Sequence, residues 1–181
     1  HTGNTVTAKI HPADQGDTST LPDTLAQAHA VLDRIGAAPT PKDPLEVVTD
    51  KGYFSRGVLK DLPDGPWRSR IAEKEQTGLA RWHGDLAAQR AVYNNRARLK
   101  SGVARIAFKL RAEKVERSFA LILDVGGLRR TWLRGVANIE KRYSIHVAAY
   151  NLGLVLRHLF GAGTPRQAMA AFWFVINVSH G

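Results

Sequence analysis

The chain of 181 residues contains no cysteine. Disulfide frameworks, cysteine-ligated zinc or iron–sulfur centres and catalysis by a thiol are therefore excluded. The sequence also lacks an apolar run of the roughly 18 residues that a membrane-spanning helix needs. Its longest run, residues 168–178, is shorter and includes Asn177. We therefore expect no membrane partner.

Motifs of several enzyme classes are missing as well. No nucleophile elbow centred on serine and no phosphate-binding P-loop is present. The histidines His83, His146, His158 and His180 lack the spacing of a metal-binding motif, which favours structural or solvent-facing roles. Gly126-Gly127 lacks the spacing of a dinucleotide fingerprint and is more typical of a helix terminator.

Acidic residues are few relative to basic ones. The chain has 26 Lys and Arg against 16 Asp and Glu, which gives a formal net charge of +10. The excess is uneven, because residues 1–50 carry a net charge of −4 and residues 51–181 a net charge of +14. Such a basic segment favours a polyanionic partner, most often a nucleic acid.

The candidate DNA-binding residues lie in the basic segment and are interleaved with Tyr93, Trp132 and Tyr143. Lys and Arg neutralise phosphates, and aromatic rings can stack on exposed bases. The alternative is a solvated helical face that keeps the protein in solution. The candidates are Arg96, Arg98, Arg117, Arg129, Arg130, Arg134, Lys141 and Arg142.

Hydrophobic periodicity predicts strands that alternate with helices in the first 72 residues, and almost only helices from Asp85 onward. The predicted strands are residues 5–11, 45–49 and 67–72. The predicted helices are residues 21–35, 54–62, 86–100, 103–123 and 136–160. Leu25, Ala28, Leu32 and Ile35 form the predicted buried face of the first helix. This order favours an α/β fold with a short mixed sheet and a mainly helical C-terminal half.

Asp50 is the first candidate catalytic residue, because it directly follows the predicted buried strand at residues 45–49. Ligands and catalytic groups of α/β sheets lie at the carboxyl ends of strands. Capping of a turn is an equally ordinary role for an Asp in the sequence Asp-Lys-Gly.

Glu116 is the second candidate, at the margin of the apolar face of the predicted helix 103–123. A carboxylate at this position could point into a site. It could equally belong to a solvated face, on which Glu113 and Glu116 pair with Lys109, Lys114 or Arg117.

Four stretches carry a combined pattern: residues 13–18 (ADQGDT), 48–53 (VTDKGY), 92–98 (VYNNRAR) and 115–151. Together they resemble the C-terminal part of the DDE transposases of bacterial insertion sequences, and they cover most of residues 5–166. The resemblance implies a ribonuclease-H-like fold in which two Asp and one Glu bind two Mg²⁺ or Mn²⁺ ions. Asp50 would be the second Asp and Glu116 the Glu.

The resemblance also implies partners and a location. Transposon ends and target DNA would be bound by a bacterial, cytoplasmic, nucleoid-associated protein that forms a homodimer when intact. Residues 5–166 would be the partial catalytic region, and residues 167–181 an apolar tail without a family counterpart. The alternative functions are a non-catalytic basic helical protein that binds nucleic acid through phosphates alone, and an RNA-associated protein.

The chain departs from the family at the first catalytic Asp, which the family carries on the first strand of its sheet. Asp14 and Asp17 match a later, non-catalytic stretch, so neither is assigned that role. The first residue is His1 instead of Met. We therefore expect a transposase fragment that is inactive as this chain.

Overall fold

The computed structural model describes residues 3–62, 65–75 and 82–161, together with Met169. All of the predicted tail at 167–181 except Met169 lies outside the described residues. The chain divides into two compact units. Residues 11–115 form the strand-containing unit, and residues 1–10 with 116–181 form the helical unit.

The strand-containing unit has two strands among its helices, in the order α1 (Asp17–Arg34), β1 (Leu45–Thr49), a 3₁₀ turn (Lys51–Tyr53), α2 (Arg56–Asp61), β2 (Trp67–Ile71) and α3 (Leu86–Leu99). Helix α4 (Gly102–Phe119) begins in this unit and ends in the helical one. The helical unit continues with a π-helical turn (Ala120–Val125) and α5 (Val136–Phe160).

The two strands pair in parallel, with Leu45 opposite Trp67 and Thr49 opposite Ile71. A parallel pair needs a crossover connection, and α2 lies within it. Residues 45–49 (LEVVT) suit a strand because β-branched side chains fit a pleated surface. In the described residues the sheet consists of these two strands. The predicted α/β class with mainly helical content is confirmed.

The core of the strand-containing unit gathers apolar side chains from α1, both strands, α2 and α3. Ile71 is the most deeply buried of these, with an exposed fraction of 0%, and Leu59 is 1% exposed. The other buried members are Leu21, Val47, Phe54, Val58, Leu62, Ala91 and Val92. This core includes Val47 of β1 and Ile71 of β2 and so holds the carboxyl ends of both strands in place. Asp50 directly follows the end of β1.

Asn95 joins α3 to the end of β2. Its side chain is completely buried. The amide Oδ1 accepts a hydrogen bond from the backbone N of Ile71 at 3.1 Å, and Nδ2 donates to the backbone O of Ile71 at 2.9 Å. The side-chain amide of Asn95 therefore satisfies the backbone N and O of the buried Ile71, as the backbone of a neighbouring strand would.

Arg70 forms a second buried polar connection on β2. Its side chain, 8% exposed, donates two hydrogen bonds of 2.6 Å to the carboxylate of Glu46 on β1. It also donates to the backbone O of Arg98 at 2.8 Å and to Ser101 Oγ at 2.9 Å. A buried guanidinium needs this many acceptors to offset its lost hydration.

The stability of the chain at low pH should depend on Glu46. Hydrogen bonds from Arg70 hold the pKa of the Glu46 carboxyl below its ordinary value, although burial acts in the opposite direction. A carboxyl with a lowered folded-state pKa stabilises the fold above its unfolded-state pKa, and this stabilisation disappears as the pH falls through the folded-state value. Glu46→Gln removes it. In urea unfolding between about pH 7 and about pH 3, the variant should lose less stability than the wild type. Parallel pH curves for the two proteins would contradict this.

The helical unit has its own smaller core, formed by Ile122, Leu128 and Val147. The chain leaves the π-helical turn at Gly126-Gly127, as the sequence predicts. A Cβ on Gly126 would overlap the backbone O of Ile122 and would lie 2.7 Å from His146 Cδ2. Gly127 has a φ of +65°, which side chains disfavour. His146 Nδ1 lies 2.8 Å from the backbone O of Arg142, one turn earlier on α5.

The predicted strand at residues 5–11 is wrong, because these residues adopt neither strand nor helix. Instead of a partner strand, the amide of Asn151 on α5 satisfies the backbone of Thr5. Asn151 Oδ1 accepts from Thr5 N at 2.8 Å, and Nδ2 donates to Thr5 O at 2.7 Å. In the part of the chain that the structure describes, no helix is long and apolar enough to cross a membrane.

Candidate functional site

Asp50 lies directly after the last residue of β1, where the sequence places it. Its carboxylate is half exposed. Oδ1 accepts a hydrogen bond from the backbone N of Gly52 at 3.1 Å and so caps the 3₁₀ turn Lys51–Tyr53. Oδ2 accepts from Arg111 Nη2 on α4 at 2.9 Å. The capping role that the sequence allows is thus present, and a catalytic role stays a prediction.

Asp17, the first residue of α1, brings a second carboxylate to the same turn. A Cβ built on Gly52 would overlap Asp17 Oδ2 and would lie 3.1 Å from Asp50 Oδ1. The carboxylates of Asp17 and Asp50 therefore both lie against Gly52, where a side chain would leave no space for them. Any other residue at position 52 would displace the Asp17 carboxylate.

Tyr53 completes this acidic turn. Burial raises the pKa of its hydroxyl, and the negative charges of Asp17 and Asp50 raise it further. The positive charge of Arg111 acts in the opposite direction. The ring hydroxyl is therefore a protonated hydrogen-bond donor at neutral pH, beside two carboxylates.

Glu116 is exposed in the last turn of α4 and is the first residue of the helical unit's second segment. Three residues earlier, Glu113 forms an ion pair with Lys114 at 3.9 Å, one of the pairings that the sequence suggests. Asp50 and Glu116 thus belong to different units. In residues 3–62, 65–75 and 82–161, no group of three or more His, Asp or Glu side chains is placed to hold a metal ion.

The donor chemistry of the candidate residues nevertheless fits the expected cation. Mg²⁺ and Mn²⁺ prefer carboxylate oxygens. Asp50 and Glu116 supply only such oxygens, and both side chains are accessible. The Asp50 carboxylate is paired with a cationic group, the Arg111 guanidinium, at 2.9 Å.

Two of the candidate DNA-binding residues, Arg96 and Arg98, are engaged within the strand-containing unit. Arg96 forms a bidentate ion pair with Glu73 at 2.7–3.0 Å. Arg98 donates to Ser69 O at 2.7 Å and to Ser69 Oγ at 2.6 Å. Burial lowers the pKa of the Arg98 guanidinium. Both side chains therefore connect α3 to β2 and the residues that follow it, through Ser69 and Glu73. Their contact with DNA stays a prediction.

The other candidate basic residues lie in the helical unit. Arg129 is paired with the carboxylate of Asp124. Arg142 is half-buried and lies against the ring of Trp132. The remaining candidates are exposed: Arg117, Arg130, Arg134 and Lys141. For the last three, no carboxylate partner is found among the described residues.

The sequence did not indicate the roles that the structure gives to Asp17, Asn95 and Arg70. The spacing of Asp17 from Asp50 is long, and only the fold brings both to Gly52. Arg70 occurs in a basic segment, where it resembles a surface cation. Asn95 follows the exposed Asn94, and a helical wheel shows only that it shares a face with Ala91 and Val92. That shared face is the one signal that could have indicated burial.

The chain matches a known protein family. The family model described as "Transposase DDE domain" matches residues 1–152. The chain therefore belongs to the transposase DDE domain family, which supports a function in DNA transposition and confirms the family resemblance seen in the sequence. Members of this family generally use divalent metal ions. Neither a curated protein nor a solved structure shows significant similarity to the chain.

Proposed function

We propose that the chain binds DNA through the helical unit and supplies Asp50 and Glu116 as metal ligands for DNA cleavage and strand transfer. Family membership supports the reaction class. The observation that carries the site assignment is the position of Asp50, an accessible carboxylate fixed at the carboxyl end of β1. The DNA would be the transposon ends and the target, and residues 5–166 would form the catalytic region.

The chain's own residues would prepare the site in two ways. The backbone N of Gly52 orients the Asp50 carboxylate, and the absence of a side chain at Gly52 leaves room for the Asp17 carboxylate beside it. Arg111 neutralises the carboxylate and would be exchanged for the cation. When bound, a pair of divalent cations activates the attacking oxygen and stabilises the leaving oxygen of a phosphodiester.

DNA binding is supported by the exposed cations Arg130, Arg134 and Lys141. Each phosphate contact contributes a slope of about −0.9 to log K against log salt. The triple change Arg130→Gln, Arg134→Gln and Lys141→Gln should therefore make the slope less steep by about 2 to 3 between about 50 and 200 mM salt. The measurement is fluorescence anisotropy with a DNA duplex.

A matched triple change separates a local surface from a general charge effect. Arg34→Gln, Lys42→Gln and Lys74→Gln remove the same charge from exposed positions of the strand-containing unit. This control should leave the slope nearly unchanged. Equal losses in both triple variants would contradict a DNA surface on the helical unit. RNA that competes at least as well as DNA at matched salt would favour the RNA-associated alternative.

The 181-residue polypeptide assayed alone should bind DNA without cutting it. No Asp in it matches the first catalytic position of the family, so the set of metal-binding carboxylates would be incomplete. The assay is nicking of supercoiled plasmid in Mg²⁺ and in Mn²⁺. Metal-dependent nicking by the purified chain would show that another of its carboxylates completes the site.

A further inference from the structure

Trp132 differs from the other described tryptophans in its exposure. Trp67 and Trp82 pack against the core of the strand-containing unit. Trp132 is 82% exposed, in the segment between the π-helical turn and α5. Exposing an indole of this size forgoes a large gain from burial. The exposure of this large ring therefore suggests that a ligand covers it.

The segment around Trp132 is held in place by local hydrogen bonds. On one side, Thr131 Oγ1 accepts from the backbone N of Leu133 at 3.1 Å. On the other, Asn138 Nδ2 donates to the backbone O of Arg134 at 2.9 Å. These two hydrogen bonds constrain the backbone around the ring, which reduces the conformational entropy lost when a planar ligand stacks on it.

Arg142 on α5 supports the ring from one side. Its guanidinium carbon lies 5.7 Å from the centroid of the Trp132 ring, within the range of a cation–π interaction. Arg142 Nη1 is buried and has no hydrogen-bond acceptor among the described residues. The guanidinium thus lies against the ring, no carboxylate of the described residues pairs with it, and it adds positive charge to the stacking position.

The other aromatic residues of the basic segment are less suited to stacking. Tyr143 packs against the core of the helical unit, and its hydroxyl donates to Leu128 O at 3.4 Å. Tyr93 is exposed, but the arginine over its ring, Arg96, is neutralised by Glu73. Trp132 instead lies in the chain segment that carries the exposed cations Arg130 and Arg134.

We propose that Trp132 stacks an unpaired base of bound DNA, while Arg142 supports the other face of the indole. We expect the ligand to be a nucleotide, because its base can stack on the planar indole and its phosphates can pair with the neighbouring cations. A base inside a duplex is already stacked, so the contact selects a single-stranded end or a bulged position. This inference rests on the proposed DNA binding and assigns it one specific contact.

Three probes test the contact with the full chain. They are a blunt duplex, the same duplex with a four-nucleotide overhang, and the same overhang with abasic sites. Trp132→Ala should weaken binding to the base-bearing overhang about tenfold, since one base stacked on an aromatic side chain contributes between about fivefold and about 150-fold. Binding to the blunt and abasic probes should change less than twofold. Trp132→Phe keeps a stacking ring and should stay within about threefold of the wild type.

Two controls keep the test independent of folding and general charge. Tyr93→Ala removes an exposed ring from the other unit and should affect the three probes equally. A 2-aminopurine placed in the overhang should be quenched by the wild type and not by Trp132→Ala, because stacking quenches this base.

The inference is overturned if Trp132→Ala weakens all three probes equally or none of them. It is also overturned if the variant changes only the sedimentation of the chain, which would assign the ring to a contact with a second copy. A wild-type chain that binds no probe at all refutes the proposed DNA binding, and the stacking contact falls with it.

Discussion

Replacing Asn95 by alanine should lower the free energy of unfolding of the full chain by about 3 kcal/mol. Two hydrogen bonds to Ile71, of 3.1 and 2.9 Å, disappear with the side chain. The backbone N and O of Ile71 are then buried without partners, and each unsatisfied group costs about 1–3 kcal/mol. The cavity left by the amide adds a smaller loss.

Asn94→Ala is the matched control, because Asn94 is the preceding residue of α3 and is exposed. Its free energy of unfolding should stay within about 0.5 kcal/mol of the wild type. Urea unfolding measures both variants, and hydrogen exchange of the Ile71 amide gives a local readout. The amide should lose protection in Asn95→Ala alone. Equal unfolding midpoints for the two variants would contradict the role assigned to Asn95.

The secondary structure follows from the sequence wherever a pattern is strong and local. Strand β1 has the predicted bounds, and so does α5. Ile35 fails as a member of the buried face, because α1 ends at Arg34 and Ile35 is 72% exposed. Gly36 has a φ of +66°, which turns the chain away at that point. The helical spacing of apolar residues extends to Ile35, but the helix itself ends one residue earlier, so the spacing no longer predicts where the Ile35 side chain points.

The strand predicted at residues 5–11 fails for a different reason. Alternation of apolar and polar residues describes a single segment, whereas a strand requires a partner with matching backbone groups. The partner here is the side chain of Asn151, 146 residues further along the chain. A pattern read over seven residues contains no information about such a contact.

The candidate site was predicted in part. The end of β1 and the sequence Asp-Lys-Gly indicate Asp50 and its capping role, and the structure contains that cap. The approach of Asp17 to Gly52 and the pairing of Asp50 with Arg111 depend on how α1 and α4 pack. Likewise, a basic side chain looks the same in sequence whether it binds Glu73, as Arg96 does, or is exposed, as Arg130 is.

The carboxylates assigned to metal binding should have the largest effect on activity. In a transposase that combines these residues with the family's first catalytic Asp, Asp50→Asn should reduce strand transfer about a thousandfold or more. The reason is that an amide cannot supply the negative charge that holds the cations, whose several kcal/mol of transition-state stabilisation would be lost. DNA affinity should change less than threefold. Asp43→Asn changes an exposed Asp before β1 and is the control with expected normal activity.

The most direct test uses two glutamates on one helix. Glu113 and Glu116 lie three residues apart on α4 and are both exposed. In the same complete transposase, strand transfer from a pre-cleaved end is measured in Mg²⁺ for Glu116→Gln and Glu113→Gln. We expect a loss of about a thousandfold or more for Glu116→Gln and near-normal activity for Glu113→Gln. Normal strand transfer by Glu116→Gln would contradict the assignment of Glu116 as a metal ligand.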